Sequence, residues 1–239
     1  SPAIAYVTGD ATYSANITTV YKSYNVTYAY NGTVPTGAGA LPTGGTYDYN
    51  SIVTVAAAPT TPDGYTFSGW SRTGSFTMPA ENVEITGSFT ANTDTAYAVE
   101  HYQQNLAGDG YDLTDTENLT GTTDTTANAA AKTYDGFTFD STVTGTVQSG
   151  TIAGDGSLVL KLYYTRNSYT VTWDVDGTTS GESYKYGATP AFSGSTDKAA
   201  DAMYTYTFAG WSPAVAAVTG DVTYTAQYTS AATPYTVTF

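Results

Sequence analysis

The first 28 residues of the chain, SPAIAYVTGDATYSANITTVYKSYNVTY, return 211 positions later as residues 212–239, with 15 identities and no gap. The differences are mild, such as Ile4 for Val215 and Tyr28 for Phe239. A 239-residue chain holding one 211-residue period plus an overlap must be assembled from units smaller than itself, each burying its own core. The period divides again. Tyr24 opens YNVTY, Tyr97 opens YAVEHY, Tyr169 opens YTVTW and Tyr235 opens YTVTF, at intervals of 73, 72 and 66 residues. Each opening alternates with period two, Tyr24, Val26 and Tyr28 on one face and Asn25 and Thr27 on the other, which is the pattern of a half-buried strand. Each is followed by an aromatic run (YTFSGW at 65–70, GFTFD at 136–140, YTFAGW at 206–211) and by a closing strand (from Val83, Ser157 and Asp221). The organisation expected is the tail of a preceding unit over residues 1–20, modules over 24–91, 92–166 and 167–230, and the first strand of a further module over 231–239.

The large apolar residues other than Tyr and Trp would not hold such modules together. Leu, Ile, Val and Phe number 37, and with a net charge of -14 that poverty is the signature of a disordered chain. Twenty-three Tyr and three Trp reverse the inference, because each aromatic ring buries a large area and a small core needs few of them. Asx-Gly pairs at Asn31-Gly32, Asp63-Gly64, Asp135-Gly136, Asp155-Gly156 and Asp176-Gly177 supply tight turns between strands. Helical composition is confined to residues 126–132 (TANAAAK) and 197–203 (DKAADAM), about two turns each, so each module is expected to hold at most one short helix or an irregular crossover. The fold class expected is mainly β, with three small modules in tandem and little helix.

Composition also excludes chemistry. There is no Cys, hence no disulfide, thiolate metal site or thiol nucleophile, and one histidine, His101, cannot make a multi-histidine metal centre. Seven scattered Lys and Arg at a pI near 4.1 argue against a nucleic-acid partner. No apolar run approaches the length of a membrane span, and no basic-then-apolar leader opens the chain at Ser1. His101 reads as a strand-face residue, since the neighbours that could activate a nucleophile point away from it. The acidic loops at Asp109, Asp112 and Asp115, and at Asp174 and Asp176, lack the alternating spacing of a calcium loop and read as solvated turn acids. LPTGG at residues 41–45 lacks one residue of a cell-wall sorting signal and lies inside a module, so it reads as a turn. The N-x-T sequons at Asn16, Asn25, Asn31 and Asn118 are what this Thr-rich composition yields by chance. No catalytic residue, cofactor or metal ligand is assigned.

The third module, YTVTWDVDGTTSGESYKYG through YTFAGW to VTGDVTYTAQYT, resembles the internalin B-type (Listeria-Bacteroides) repeat of bacterial surface proteins. It departs from that pattern in having Asp176-Gly177-Thr178 where the family has Asn-Gly-Gly. Residues 1–20 resemble the tail of a preceding copy. The middle module, YAVEHYQQNLAGDGYDL with GTIAGDGSLVLKLYYTR, is similar to the mucin-binding-protein repeat. The first, with YNVTYAYNGTVPTGAGALP, GYTFSGWS and SFTMPAENVEITGSFT, is similar to the streptococcal high-identity tandem repeat domain. These resemblances imply β-grasp-like modules strung along an exported stalk on a Gram-positive cell surface or wall. Trp70 and Trp211, each behind its glycine (Gly69, Gly210), are expected to be equivalent core residues of the first and third modules. In a β-grasp-like module the first and last strands are neighbours, so Glu100 and Lys161 are expected to form a cross-strand pair. An intramolecular isopeptide bond at Lys161 is the less favoured reading.

Two functions compete at this stage. The leading one is a non-enzymatic structural segment of an extracellular stalk or fibre built from 211-residue repeats. The alternative is an adhesive module that binds glycans or mucin through exposed tyrosines. Residues 1–20 lack the opening strand and aromatic run needed for a core, so they are expected to be ordered only when an adjoining copy of the repeat, in cis or in trans, supplies a strand.

Overall fold

The computed structural model describes residues 8–10 and 12–236. The chain forms two compact units, Ser1–Ala91 and Asn92–Phe239. The first contains β1 (Ser23–Asn31), β2 (Gly45–Asp48), β3 (Ile52–Thr54), β4 (Tyr65–Phe67), β5 (Ser75–Thr77) and β6 (Val83–Ala91). The second begins with β7 (Thr95–Gln104), β8 (Tyr111–Gly121), β9 (Thr126–Asn128), β10 (Phe137–Phe139), β11 (Ser149–Thr151) and β12 (Val159–Arg166). It continues with β13 (Ser168–Val175), β14 (Thr178–Lys185), β15 (Tyr204–Ser212) and β16 (Val222–Ala232). The fold is mainly β, several small modules in tandem, with no helix among the described residues. Both stretches of helical composition are non-helical. Thr126–Asn128 is instead a strand paired with β11, and residues 197–203 lie outside any strand or helix. Two turns of helix cannot meet their nucleation cost alone, and the strand pairing wins.

Three four-stranded sheets share one plan, in the orders β2-β1-β6-β4, β8-β7-β12-β10 and β14-β13-β16-β15. In each, the opening and closing strands are the central, parallel pair and the outer strands are antiparallel. The registers correspond: Val26 faces Val83 and Tyr28 faces Ile85, Val99 faces Leu160 and His101 faces Leu162, Val171 faces Val222 and Trp173 faces Tyr224. These residues anchor three separate cores. The hairpin between β13 and β14 turns through Asp176 and Gly177, both at positive φ (51° and 83°), which is the geometry of a two-residue type I′ turn. The Asp-Gly pair thus makes the tight turn despite its departure from the Asn-Gly-Gly pattern.

A parallel pair requires a long crossover, and without a helix the crossover's backbone groups must find other partners. The same device recurs. A residue in the left-handed region (Asn50, Asp124 or Gly187, at φ 69°, 62° and 81°) donates its N–H to the carbonyl of a buried apolar residue, Met78, Ile152 or Val218. That residue returns its own N–H to Ser51, Thr125 or Ala188. A core tyrosine hydroxyl then accepts a further crossover N–H: Tyr28 from Ala56 at 2.8 Å, Tyr164 from Lys132 at 2.9 Å and Tyr224 from Ala216 at 3.2 Å. Tyrosine therefore serves as both core filler and backbone acceptor. Tyr164→Phe should leave the Lys132 N–H without its acceptor and cost about 1–3 kcal/mol by urea denaturation. Tyr102→Phe, on the partly exposed face of the same sheet, should cost less.

Candidate functional site

The Tyr-x-Phe-x-Gly-Trp strings acquire a mechanical meaning in the structure. Gly69 and Gly210 both have positive φ (84° and 127°), a conformation that side chains with a Cβ rarely adopt. Gly210 sits at a bulge, where the register between β15 and β16 shifts past Phe208. The kink re-aims the following tryptophan toward the core. Trp70 is buried at 8% exposure, lying parallel to Tyr30 at 5.8 Å and edge-on to Tyr28 and Phe67 at 5.1 Å. Its Nε1 donates to the Ala57 carbonyl at 3.1 Å. Trp211 is half-buried and packs 4.7 Å from Trp173 and 5.1 Å from Phe192. The centre of that core is Trp173, 1% exposed, which stands where the first module has Tyr28. The larger ring on the opening strand takes the interior and leaves Trp211 at its rim.

Glu100 and Lys161 are register partners across β7 and β12, with Lys161 Nζ 3.7 Å from Glu100 Oε2. Tyr102 donates its hydroxyl to the same carboxylate oxygen at 2.6 Å, which pushes the phenol's pKa up to about 12. The lysine and glutamate side chains are 39% and 21% exposed, the setting of an ordinary surface ion pair.

The most concentrated polar cluster lies on the other face of this sheet, and sequence reasoning missed it. His101 is 0% exposed and occupies the inward position that Tyr28 and Trp173 fill in the other opening strands. Tyr164 Oη, already accepting the Lys132 N–H, is hydrogen-bonded to His101 Nδ1 at 2.9 Å, and His101 Nε2 donates to Glu117 Oε1 at 2.8 Å. Lys132 Nζ lies 2.7 Å from Asp115 Oδ2 and 3.3 Å from Glu117 Oε1, and the Tyr134 hydroxyl donates to Asp115 at 3.3 Å. Strand β8 thus presents Asp115 and Glu117, two positions apart on one face, to a lysine on the crossover and a histidine on β7. The signal available in the sequence was that spacing, together with a histidine where an aromatic belongs. The network contains no serine, threonine or cysteine nucleophile. Its members bond to one another, so the arrangement clamps the crossover to the sheet. Among the described residues, no group of three or more His, Cys, Asp or Glu is placed to hold a metal ion, and no helix is long and apolar enough to cross a membrane.

Comparison with known proteins places these features in context. The sequence profile of the divergent InlB B-repeat domain matches residues 24–93. The match falls on the first module, likened above to the streptococcal repeat, and not on the third, likened above to the internalin B-type repeat. The two share the string ending in Trp70 and Trp211. No curated protein matches the chain. Among solved structures, a match is found to domains 3–4 of the Streptococcal High Identity Repeats in Tandem (SHIRT) domains from a cell surface protein. It has 18% identity and a TM-score of 0.27, and covers 60% of this chain and 98% of that one. The chain is a tandem-repeat segment whose first module matches the divergent InlB B-repeat family.

The charged network sets an acid limit on the second unit. Hydrogen bonding to Lys132 holds the Asp115 carboxyl below its ordinary value, and hydrogen bonding from His101, with Lys132, does the same for Glu117. Carboxyls depressed in the fold contribute stability above their unfolded pKa of about 4 and lose it as pH falls through the folded values. Denaturation midpoints of the second unit should therefore drop on acidification below about pH 4. Asp115→Asn with Glu117→Gln should make that limb shallower, leaving the share due to Asp140, Asp155 and Asp201, which Thr142, Ser157 and Tyr206 hold low.

Proposed function

We propose that this chain is a non-enzymatic, tension-bearing segment of an extracellular stalk or fibre of a Gram-positive surface adhesin, built from 211-residue tandem repeats over modules 24–91, 92–166 and 167–230. One observation carries the reading: in all three sheets the chain enters on one strand and leaves on its parallel neighbour. Tension along the chain pulls such a pair in opposite directions along its length. The hydrogen bonds between the strands are then loaded together in shear, where an antiparallel hairpin would unzip one bond at a time. The interior supports the same role, since the hydroxyls of Tyr28, Tyr164 and Tyr224 hold crossovers to sheets. A joint of one residue, Asn167, between β12 and β13 leaves little slack in the second unit. There Arg166 donates from Nη1 to the Tyr186 carbonyl at 2.8 Å and from Nε to the Gln104 carbonyl at 3.1 Å, with its guanidinium 4.7 Å from the Phe137 ring centroid.

Single-molecule stretching tests the proposal, and the absence of native cysteine makes engineered attachment points unambiguous. Pulled from its ends, the chain should unfold in three resolved events, each releasing on the order of 200 Å of contour for a module of about 70 residues. The forces should exceed those found when the β13–β14 hairpin is peeled from engineered cysteines. Featureless extension, or equal forces in both geometries, would contradict the proposal.

A further inference from the structure

A sheet edge presents a row of unpaired N–H and C=O groups, and a long edge invites a further strand unless something blunts it. In the first module both edges are short, four residues in β2 and three in β4, and β10 closes one side of the second with three. The long edges β8 and β15 each meet their neighbour through a register shift, between His101 and Tyr102 and between Phe208 and Gly210, and β8 turns Asp115 and Glu117 inward. Strand β14 is the exception among the described residues. It runs eight residues, pairs with β13 in unbroken register from Val175–Thr178 to Ser168–Lys185, and has no strand on its other side. It contains no proline, and seven of its eight residues are exposed.

The turn decides which backbone groups of β14 face outward. In a two-residue hairpin the pair flanking the turn, Val175 and Thr178, exchanges both hydrogen bonds, and the pattern alternates from there. Thr178, Ser180, Glu182 and Tyr184 therefore turn their N–H and C=O groups to β13. Those of Thr179, Gly181 and Ser183 face outward, with Gly181 at their midpoint. The side chains alternate as well. Ser180 is the register partner of the buried Trp173, so Thr178, Ser180, Glu182 and Tyr184 share the core face and Thr179, Gly181 and Ser183 the other. Glu182 and Lys185 are the charged residues of the strand.

We infer that β14 is the docking edge for β14 of a second copy of this chain, the two strands running antiparallel about a two-fold axis at Gly181. In that register Gly181 pairs with Gly181 of the second copy and Thr179 with Ser183 of the second copy, and every outward N–H and C=O of the three residues gains a partner. The same patch serves both copies, as a two-fold contact requires. Charge agrees with this register. Glu182 lies opposite Ser180, and Tyr184 opposite Thr178, of the second copy, so no like charges meet. An axis one residue further on would set the two Glu182 carboxylates against each other and bring together residues whose backbone groups β13 already uses. Gly181 leaves the axis open, and a Cβ there would meet only Thr170 Cγ2, at 3.7 Å. A single strand pair falls below the roughly 1,200 Å² of a standard interface, so the contact is weak between single chains and gains where several repeats lie side by side. It goes beyond the stalk reading: association between chains and shear strength within one can each fail alone.

Sedimentation equilibrium of the full chain at physiological salt, taken up to about 1 mM, should show a weak monomer–dimer equilibrium. Ser180→Lys sets two Lys–Glu pairs across the axis and should tighten it by up to about tenfold, and Ser180→Glu should abolish it. Adding Glu182→Lys to Ser180→Glu should restore it. Ser183→Lys makes the same change in net charge on the opposite face, away from Glu182, and should leave the affinity unchanged. The absence of native cysteine allows a test of register. Gly181→Cys should give disulfide-linked dimers under mild oxidation, because the paired Cα atoms lie about 5.5 Å apart, whereas Ser183→Cys, about 14 Å from its own counterpart, should not. A chain that stays monomeric, equal effects of Ser180→Lys and Ser183→Lys, or equal crosslinking of the two cysteine variants overturns the inference.

Discussion

Everything in this chain hangs on a parallel pairing between the first and last strands of each module. Val26 beside Val83, Val99 beside Leu160 and Val171 beside Val222 are buried or half-buried positions from which the three cores are built outward. A parallel pair cannot be closed by a hairpin, so each module must carry a long connection, and among the described residues no helix satisfies that connection's backbone. The residues in the left-handed region and the tyrosine hydroxyls take over the task. This explains a composition that otherwise looks unfit to fold: 23 tyrosines supply the apolar area that the aliphatic residues lack and deliver acceptors into places where a phenylalanine would leave an N–H orphaned.

The middle module shows how far the plan can be varied. Its opening strand puts His101 at the position of Tyr28 and Trp173, and a histidine buried there needs two partners. Tyr164 and Glu117 provide them, and Lys132 joins both to the crossover through its backbone and its ammonium. What is an aromatic stack in the neighbouring modules becomes a polar clamp with the same outcome, a crossover fixed to the central strands. The histidine ties this module to two carboxylates, Asp115 and Glu117, whose hydrogen bonds hold them below their ordinary values.

Much of this was legible from residues alone. The alternation in YNVTY and YTVTW marks the opening strands, the Asp-Gly pairs mark turns such as Asp176-Gly177, and the internal match between the chain's two ends marks the 211-residue period. Elsewhere the signal is weak for physical reasons. The bridge through Asn50, Asp124 and Gly187 is made of backbone groups, so its residues share a conformation and no common side chain. The His101 network draws on β7, β8, β12 and the crossover, and no local pattern joins residues 101, 115, 117, 132 and 164. Trp70 and Trp211 share a string but differ in burial, because what decides burial is the ring opposite, Tyr28 in one core and Trp173 in the other. The fourth opening, YTVTF from Tyr235, lies partly outside the described residues: Tyr235 is described and residues 237–239 are not.

The central claim is that each crossover is part of the same cooperative structure as the parallel pair it connects, tied in by a tyrosine hydroxyl. Native-state hydrogen exchange at single-residue resolution tests it directly. The amides of Ala56, Lys132 and Ala216 should exchange at the free energy of opening of their own closing strands, and each should become fast when Tyr28, Tyr164 or Tyr224 is replaced by Phe. Crossover amides that exchange orders of magnitude faster than the closing strands in the unaltered chain would contradict the account.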